Sequence, residues 1–166
     1  KAHANAKREV SLLSSGEKDK SAIYKQYGTT LLGLYIAADF VFAFQLGDGD
    51  MLSVTESGVE LLIETDKILG VETHSLCKED AWRSARTAVK RLDMFHLPVL
   101  FTASSDGFSN SFISEDEFLK NNRGYYDLIR EHGTASIAPH LSKWLSETSE
   151  QGCGDDITVG FGYIVD

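Results

Sequence analysis

The feature that most limits how this chain can fold is a pair of apolar runs of strand length, separated by a turn. Both alternating faces are apolar in Thr29 to Ala37, and the pattern repeats in Phe40 to Leu46 after the turn-prone pair Ala38-Asp39. Strands that are apolar on both faces are typical of a sheet covered on both sides. We therefore expect two adjacent strands in the interior of a layered domain.

Turn residues divide the following sequence into further short strands. Gly47-Asp48-Gly49-Asp50 precedes an apolar segment at Met51 to Val54, and Glu56-Ser57-Gly58 precedes another at Val59 to Ile63. Short apolar segments between Gly- and Asp-rich turns favour successive antiparallel hairpins. A further strand is predicted at Val99 to Ala103.

Three segments have the period of a helix. Between Asp80 and Leu92 the apolar residues recur at spacings of three and four, which predicts a short helix. Ser114 to Glu117 has the capping-box pattern S-x-x-E, so a helix is expected to begin there and to end at His132-Gly133. The next helix carries one apolar stripe, and core packing is the expected role of the aromatic residues on these helices, which are Trp82, Tyr125 and Trp144.

The chain ends on a segment that alternates with a period of two, from Ile157 to Val165. Strands first, then paired helices, then a final strand predict the α+β class, with helices that cover an antiparallel sheet. No internal repeat or low-complexity segment suggests a different architecture.

The charge of the chain limits its partners. The chain has 16 Lys and Arg residues and 25 Asp and Glu residues, which gives a formal net charge of −9. Such a surface repels nucleic acid and anionic membranes, and an anionic substrate would need a bound metal or a local cationic pocket. No apolar run reaches the length of a membrane span, and Cys77 and Cys153 have no disulfide or zinc-site spacing. We expect a cytoplasmic protein that binds neither nucleic acid nor membrane.

Three acidic turns lie at the predicted strand ends, each beside glycine: Asp48, Asp106, and Asp155 with Asp156. Carboxylates gathered in one place repel each other, so such a group usually binds a hard divalent cation. For any one turn alone, the simpler interpretation is that Asp and Gly are common turn residues. The sequence lacks an EF-hand loop, a phosphate-binding lysine loop, a G-x-S-x-G elbow, an H-E-x-x-H pair and any metal-ligand spacing among its histidines.

In their order, these motifs resemble the metal-dependent protein phosphatases of the 2C type. Four segments are similar to patterns of this family. Gly28-Thr29-Thr30 is similar to G-[ST]-T, and Leu46-Gly47-Asp48 is similar to V-G-D-S. Ala103 to Gly107 is similar to A-S-D-G, and Asp155 to Val159 is similar to D-N-I-T-V. The resemblance spans Gly28 to Val165, and Gly70 to Trp82 is similar to a bacterial branch of the family.

The resemblance implies an α-β-β-α sandwich with two divalent cations, Mg²⁺ or Mn²⁺, whose bridging water attacks a phosphoserine or phosphothreonine. Asp106 and Asp155 correspond to metal ligands of the main site. Asp48 and Asn110, together with Asp106, correspond to a weaker third-metal site. Gly107 would permit a tight turn. Asp156 replaces the asparagine of the family pattern and adds a negative charge beside the site.

The family's Asp-Gly-His-Gly motif, with the aspartate that bridges both metals, is not found in this sequence, and neither is the earlier arginine that binds phosphate. The expectation is therefore an N-terminally incomplete domain, with a connector or frayed helix at 1–27 and the C-terminal part of a phosphatase domain at 28–166. Its implied partners are a phosphoprotein substrate and a cognate kinase. The alternative is a non-catalytic binding or regulatory module with the same fold.

Overall fold

The computed structural model describes residues 27–64, 74–78 and 80–165. These described residues contain seven strands, which are β1 (Leu31–Ile36), β2 (Phe40–Leu46), β3 (Asp50–Thr55), β4 (Gly58–Leu61), β5 (Arg86–Arg91), β6 (Val99–Ser104) and β7 (Val159–Ile164). They form two antiparallel sheets, in the orders β1-β2-β5 and β4-β3-β6-β7. The helices are α1 (Asp106–Ser109), α2 (Glu115–His132) and α3 (Thr134–Gln151). The connector or frayed helix expected at 1–27 lies, apart from Tyr27, outside the described residues.

The first hydrophobic core lies between the two sheets. Val41 and Ala43 of β2 and Met51 of β3 are buried in one cluster with Val99 and Phe101 of β6. Burial of this apolar surface, at roughly 25 cal/mol per Å², holds the sheets face to face. The chain crosses from the first sheet to the second between β2 and β3, at the turn Gly47-Asp48-Gly49.

The second core lies between the four-stranded sheet and the helices. Phe118, Tyr126 and Ile129 of α2 are buried there with Leu52 of β3 and Leu100 of β6. The helix begins as predicted, because the Ser114 side chain accepts a hydrogen bond from the Glu117 N–H at 3.3 Å. It ends at Gly133, whose φ of +80° a glycine adopts without strain.

Two antiparallel sheets and a helical layer confirm the predicted α+β class. The described residues form the β-β-α part of the expected sandwich, with α2 and α3 on the outer face of the four-stranded sheet. In the part of the chain that the structure describes, no helix is long and apolar enough to cross a membrane.

The prediction of a helix between Asp80 and Leu92 is wrong. Ala81–Ser84 forms only a short 3-10 turn, and Arg86–Arg91 is strand β5, which pairs with β2 through partners such as Phe42 and Val89. The spacing of three and four was compatible with a helix, but backbone pairing with β2 decided the structure. Trp82 is 71% exposed, so the core role predicted for it is also wrong, whereas Tyr125 is 5% exposed as expected.

The first sheet is buried on its inner face only. Its outer face presents a row of paired residues, Tyr35, Phe42 and Val89, one from each strand. Tyr35 is 61% exposed and Val89 is 66% exposed, so the prediction that both faces of β1 and β2 are buried is wrong for the outer face. The inner face is buried in β2 and only partly buried in β1.

We predict that this outer face makes the 166-residue chain self-associate, because an uncovered apolar sheet face is a contact surface. Replacing Tyr35 and Val89 by lysine should reduce association in sedimentation velocity experiments. The matched control is Ile113→Lys, since Ile113 is 95% exposed but lies outside the sheet, and it should change nothing. A wild-type chain that remains monomeric at all concentrations would contradict the prediction.

Candidate functional site

The three acidic turns lie at one edge of the four-stranded sheet. Asp50 at the start of β3 pairs with Ser104 at the end of β6, and Ser104 pairs with Val159 at the start of β7. Asp48 precedes β3, Asp106 follows β6, and the pair Asp155-Asp156 precedes β7. We call the four aspartates Asp48, Asp106, Asp155 and Asp156 the acidic edge.

Ser105 joins the end of β6 to the segment before β7. Its N–H donates to the Thr158 carbonyl at 2.9 Å, and its hydroxyl accepts from the Thr158 N–H at 3.0 Å. The same hydroxyl lies 3.3 Å from the Asp156 carbonyl, to which it donates. These bonds fix Asp106, the next residue, relative to Asp155 and Asp156.

Gly107 allows the two loops to approach each other. It is buried in α1, and a Cβ atom placed on it would lie 2.6 Å from the Asp156 carbonyl oxygen and 3.4 Å from the Asp155 Cβ. Its backbone is helical, so the tight turn expected from the sequence is not what requires glycine here. The requirement is space, because any side chain would collide with the Asp156 carbonyl.

The C-terminal end of α3 holds the Asp155 loop in place. The Ser149 hydroxyl donates to the Asp155 carbonyl at 2.6 Å, and the Ser149 carbonyl accepts from the Gly154 N–H at 2.9 Å. The Asp155 carboxylate accepts the N–H of Asp156 at 2.9 Å. The loop is thus anchored to α3 on one side and to Ser105 on the other.

Asn110 lies at the end of α1, four residues after Asp106. Its N–H donates to the Asp106 carbonyl at 2.9 Å, and its side chain is exposed. The short helix therefore places both predicted metal ligands on one rigid element.

Asp48 lies in the turn between the sheets, flanked by Gly47 with φ +88° and Gly49 with φ +115°. A Cβ on Gly49 would lie 2.5 Å from the Ser104 carbonyl oxygen, so this turn packs against the end of β6. The Asp48 residue is exposed at the acidic edge. Glycine is needed on both sides for backbone conformation as well as for space.

Sequence reasoning missed Gln45, which is 2% exposed. Its Nε2 donates to the carbonyls of Gly47 and Gly49, at 3.2 and 2.9 Å. The signal was present in the sequence, because Gln45 is the one polar residue in the apolar run of β2.

The donors of the acidic edge suit a hard divalent cation, because they are carboxylates. Gly107, the residue after Asp106, packs closely against Asp155 and Asp156. Within residues 27–64, 74–78 and 80–165, however, no group of three or more His, Cys, Asp or Glu side chains is arranged to hold a metal ion. The described residues therefore fit part of a metal centre in their chemistry and do not complete one.

We predict that Gly107→Ala lowers the free energy of unfolding by about 1–3 kcal/mol, because its methyl group overlaps the Asp156 carbonyl. The matched control is Gly124→Ala in α2, where a Cβ meets nothing within 4 Å. That change should stabilise the protein by roughly 0.5–1 kcal/mol through helix propensity. Urea unfolding of both variants measures the difference, and a neutral Gly107→Ala would disprove the close approach.

Two solved structures share this fold. The catalytic domain of the serine/threonine protein phosphatase PstP, in complex with two manganese ions, matches with a TM-score of 0.60 and 16% identity, over 88% of this chain and 66% of that one. The Mycobacterium tuberculosis serine/threonine phosphatase PstP/Ppp matches with a TM-score of 0.56 and 15% identity, over 88% of this chain and 67% of that one. The chain thus spans about two thirds of the length of these structures, and at this identity the likeness shows the fold alone.

The sequence itself gives the family. No curated protein matches the chain. The family model described as protein phosphatase 2C, however, matches residues 2–146, which is most of its length. Together with the two-sheet fold and the order of the acidic turns, this match shows that the chain belongs to the protein phosphatase 2C family.

Proposed function

We propose that this chain forms part of a Mg²⁺- or Mn²⁺-dependent protein phosphatase that hydrolyses phosphoserine and phosphothreonine. The observation that supports the proposal is the close packing of Gly107, the residue after Asp106, against Asp155 and Asp156, where Ser105 joins the two loops. Membership of the protein phosphatase 2C family supports it.

Each aspartate of the acidic edge has a role in this proposal. Asp106 and Asp155 hold the main metal site, with two ions in a complete domain. Asp48 and Asn110 hold a weaker third ion together with Asp106. Asp156 adds negative charge beside the site, and its backbone carbonyl packs against Gly107. Bound metal would neutralise the phosphomonoester and lower the pKa of a water molecule that attacks it.

The charge of the chain is consistent with this need for metal. With a net charge of −9, the protein repels a phosphate dianion unless cations are bound nearby. We propose phosphoserine and phosphothreonine proteins as substrates and a cognate serine/threonine kinase as a partner. The structural likeness to PstP, a serine/threonine protein phosphatase, supports this substrate class. We place the protein in the cytoplasm, which its free cysteines Cys77 and Cys153 favour.

The second candidate is a non-catalytic binding or regulatory module of the same fold. It is favoured by the lack of a three-ligand metal group among the described residues. The two candidates differ in whether metal binds at the acidic edge and supports turnover.

We predict that Asp106→Asn weakens Mn²⁺ binding and lowers turnover by about tenfold or more, while the melting temperature changes little. The change removes a charged ligand and keeps the size of the side chain. Calorimetric Mn²⁺ titration of the chain, and phosphothreonine-peptide turnover by a complete domain that contains it, measure these effects. If Asp106 only begins a turn, the change costs about 1 kcal/mol or less and leaves both values intact.

The matched control for this experiment is Asp39→Asn. Asp39 is an exposed aspartate in the turn between β1 and β2, at the opposite end of the strands from Asp48. It should alter neither Mn²⁺ affinity nor turnover. An equal effect of both substitutions would mean that the acidic edge acts only through overall charge.

We also predict that the 166-residue chain alone hydrolyses p-nitrophenyl phosphate negligibly with Mn²⁺. The sequence lacks the Asp-Gly-His-Gly motif whose aspartate bridges the two metals in the family, so neighbouring ions have no shared carboxylate. A colorimetric assay against a buffer blank with Mn²⁺ is sufficient. Robust turnover by the purified chain would show that the site is misplaced.

A further inference from the structure

Gln45 is a buried polar side chain in a strand that is otherwise apolar. It lies on β2 and is 2% exposed, next to Leu46 at 1%. Its side chain bonds to the backbone of the turn that follows, with Nε2 at 3.2 Å from the Gly47 carbonyl oxygen and 2.9 Å from that of Gly49.

The orientation of this amide follows from its partners. Both partners are carbonyl oxygens, which only accept hydrogen bonds, so the NH₂ group must face them. The Oε1 atom is buried and has no hydrogen-bond partner among the residues that the structure describes. A buried acceptor without a partner costs free energy, and an apolar side chain of the same size would avoid that cost. Packing of the core alone therefore does not account for glutamine at this position.

The two carbonyls that Gln45 binds lie on either side of Asp48. Both flanking glycines have positive φ, and the turn packs closely against Thr30, His74 and the end of β6. One amide group thus binds the Gly47–Asp48 peptide and the Gly49–Asp50 peptide. This turn is also where the chain passes from one sheet to the other.

We propose that Gln45 is a positioning residue that orients the Asp48 carboxylate within the acidic edge, so that this carboxylate can serve as a ligand of the weaker metal ion. This inference rests on the proposed function. Gln45 does not touch the metal or the substrate itself, and it acts only through the backbone of the turn.

The test follows metal binding at each aspartate separately. The chain is titrated with Mg²⁺, and the ¹³Cγ chemical shifts of Asp48, Asp106 and Asp155 are recorded by NMR in the wild type and in Gln45→Met. Methionine keeps the length and volume of the side chain and removes both donors. We expect the midpoint at Asp48 to rise by about tenfold, as when an outer partner of a metal ligand is lost, while the midpoint at Asp155, which belongs to the main site only, stays unchanged.

The matched control is Asn122→Leu. Asn122 is also a buried amide, 1% exposed, but it lies in α2. Its Nδ2 donates to the Phe118 carbonyl at 2.9 Å, and its Oδ1 has no hydrogen-bond partner among the described residues. Its replacement should leave all three midpoints unchanged. A merely structural role of Gln45 would lower the melting temperature and leave the midpoint at Asp48 at its wild-type value, which would overturn the inference.

The outcomes separate this inference from the proposed function. If Mg²⁺ shifts none of the three carboxyls in the wild type, the proposed metal site fails and the inference fails with it. If Asp106 and Asp155 shift but Asp48 does not, or if Gln45→Met leaves the Asp48 midpoint unchanged, only the inference fails.

A measurement on the wild type covers the case in which Gln45→Met does not fold. Scalar couplings across the hydrogen bonds should connect the Gln45 side-chain nitrogen with the carbonyl carbons of Gly47 and Gly49. Their presence supports the inference, and absence of both couplings would overturn it.

Discussion

The close contact between α1 and the segment before β7 is the constraint on which the acidic edge depends. Gly107 leaves no room for a side chain, and the Asp156 carbonyl occupies the space where a Cβ would lie. Ser105 holds the same two segments together through both its backbone and its hydroxyl. Because these contacts join the ends of two neighbouring strands, the loops that carry Asp106, Asp155 and Asp156 lie together at one edge of the sheet.

The rest of the fold supplies rigidity to that edge. The core between the sheets sets the position of the β2–β3 turn, and the core under α2 and α3 sets the position of the Asp155 loop through Ser149. A ligand is held accurately when it follows a buried strand or a packed helix. The acidic edge is therefore positioned by burial in two layers, although the aspartates at 48, 155 and 156 are exposed.

The two faces of the molecule differ in how far they are covered. Helices α2 and α3 cover the four-stranded sheet, with Tyr125 and Trp144 in aromatic contact between them. The row of Tyr35, Phe42 and Val89 on the three-stranded sheet remains partly exposed. Burial raises the pKa of the Tyr125 phenol, so this side chain stays neutral within the covered core.

Local patterns in the sequence determined the strands at Phe40 to Leu46 and Val99 to Ala103, the capping box at Ser114, and the positions of the acidic turns at strand ends. These features depend on neighbouring residues and on alternation along the chain, which a sequence displays directly.

Tertiary structure alone decided the rest. Strand β5 exists because it pairs with β2, although its apolar spacing also suited a helix. Gly107 is required for space beside Asp156, which lies far from it in the chain, and no local signature specifies that partner. Pairing and close packing join residues far apart in the chain, so their outcome depends on the whole fold and not on any single segment.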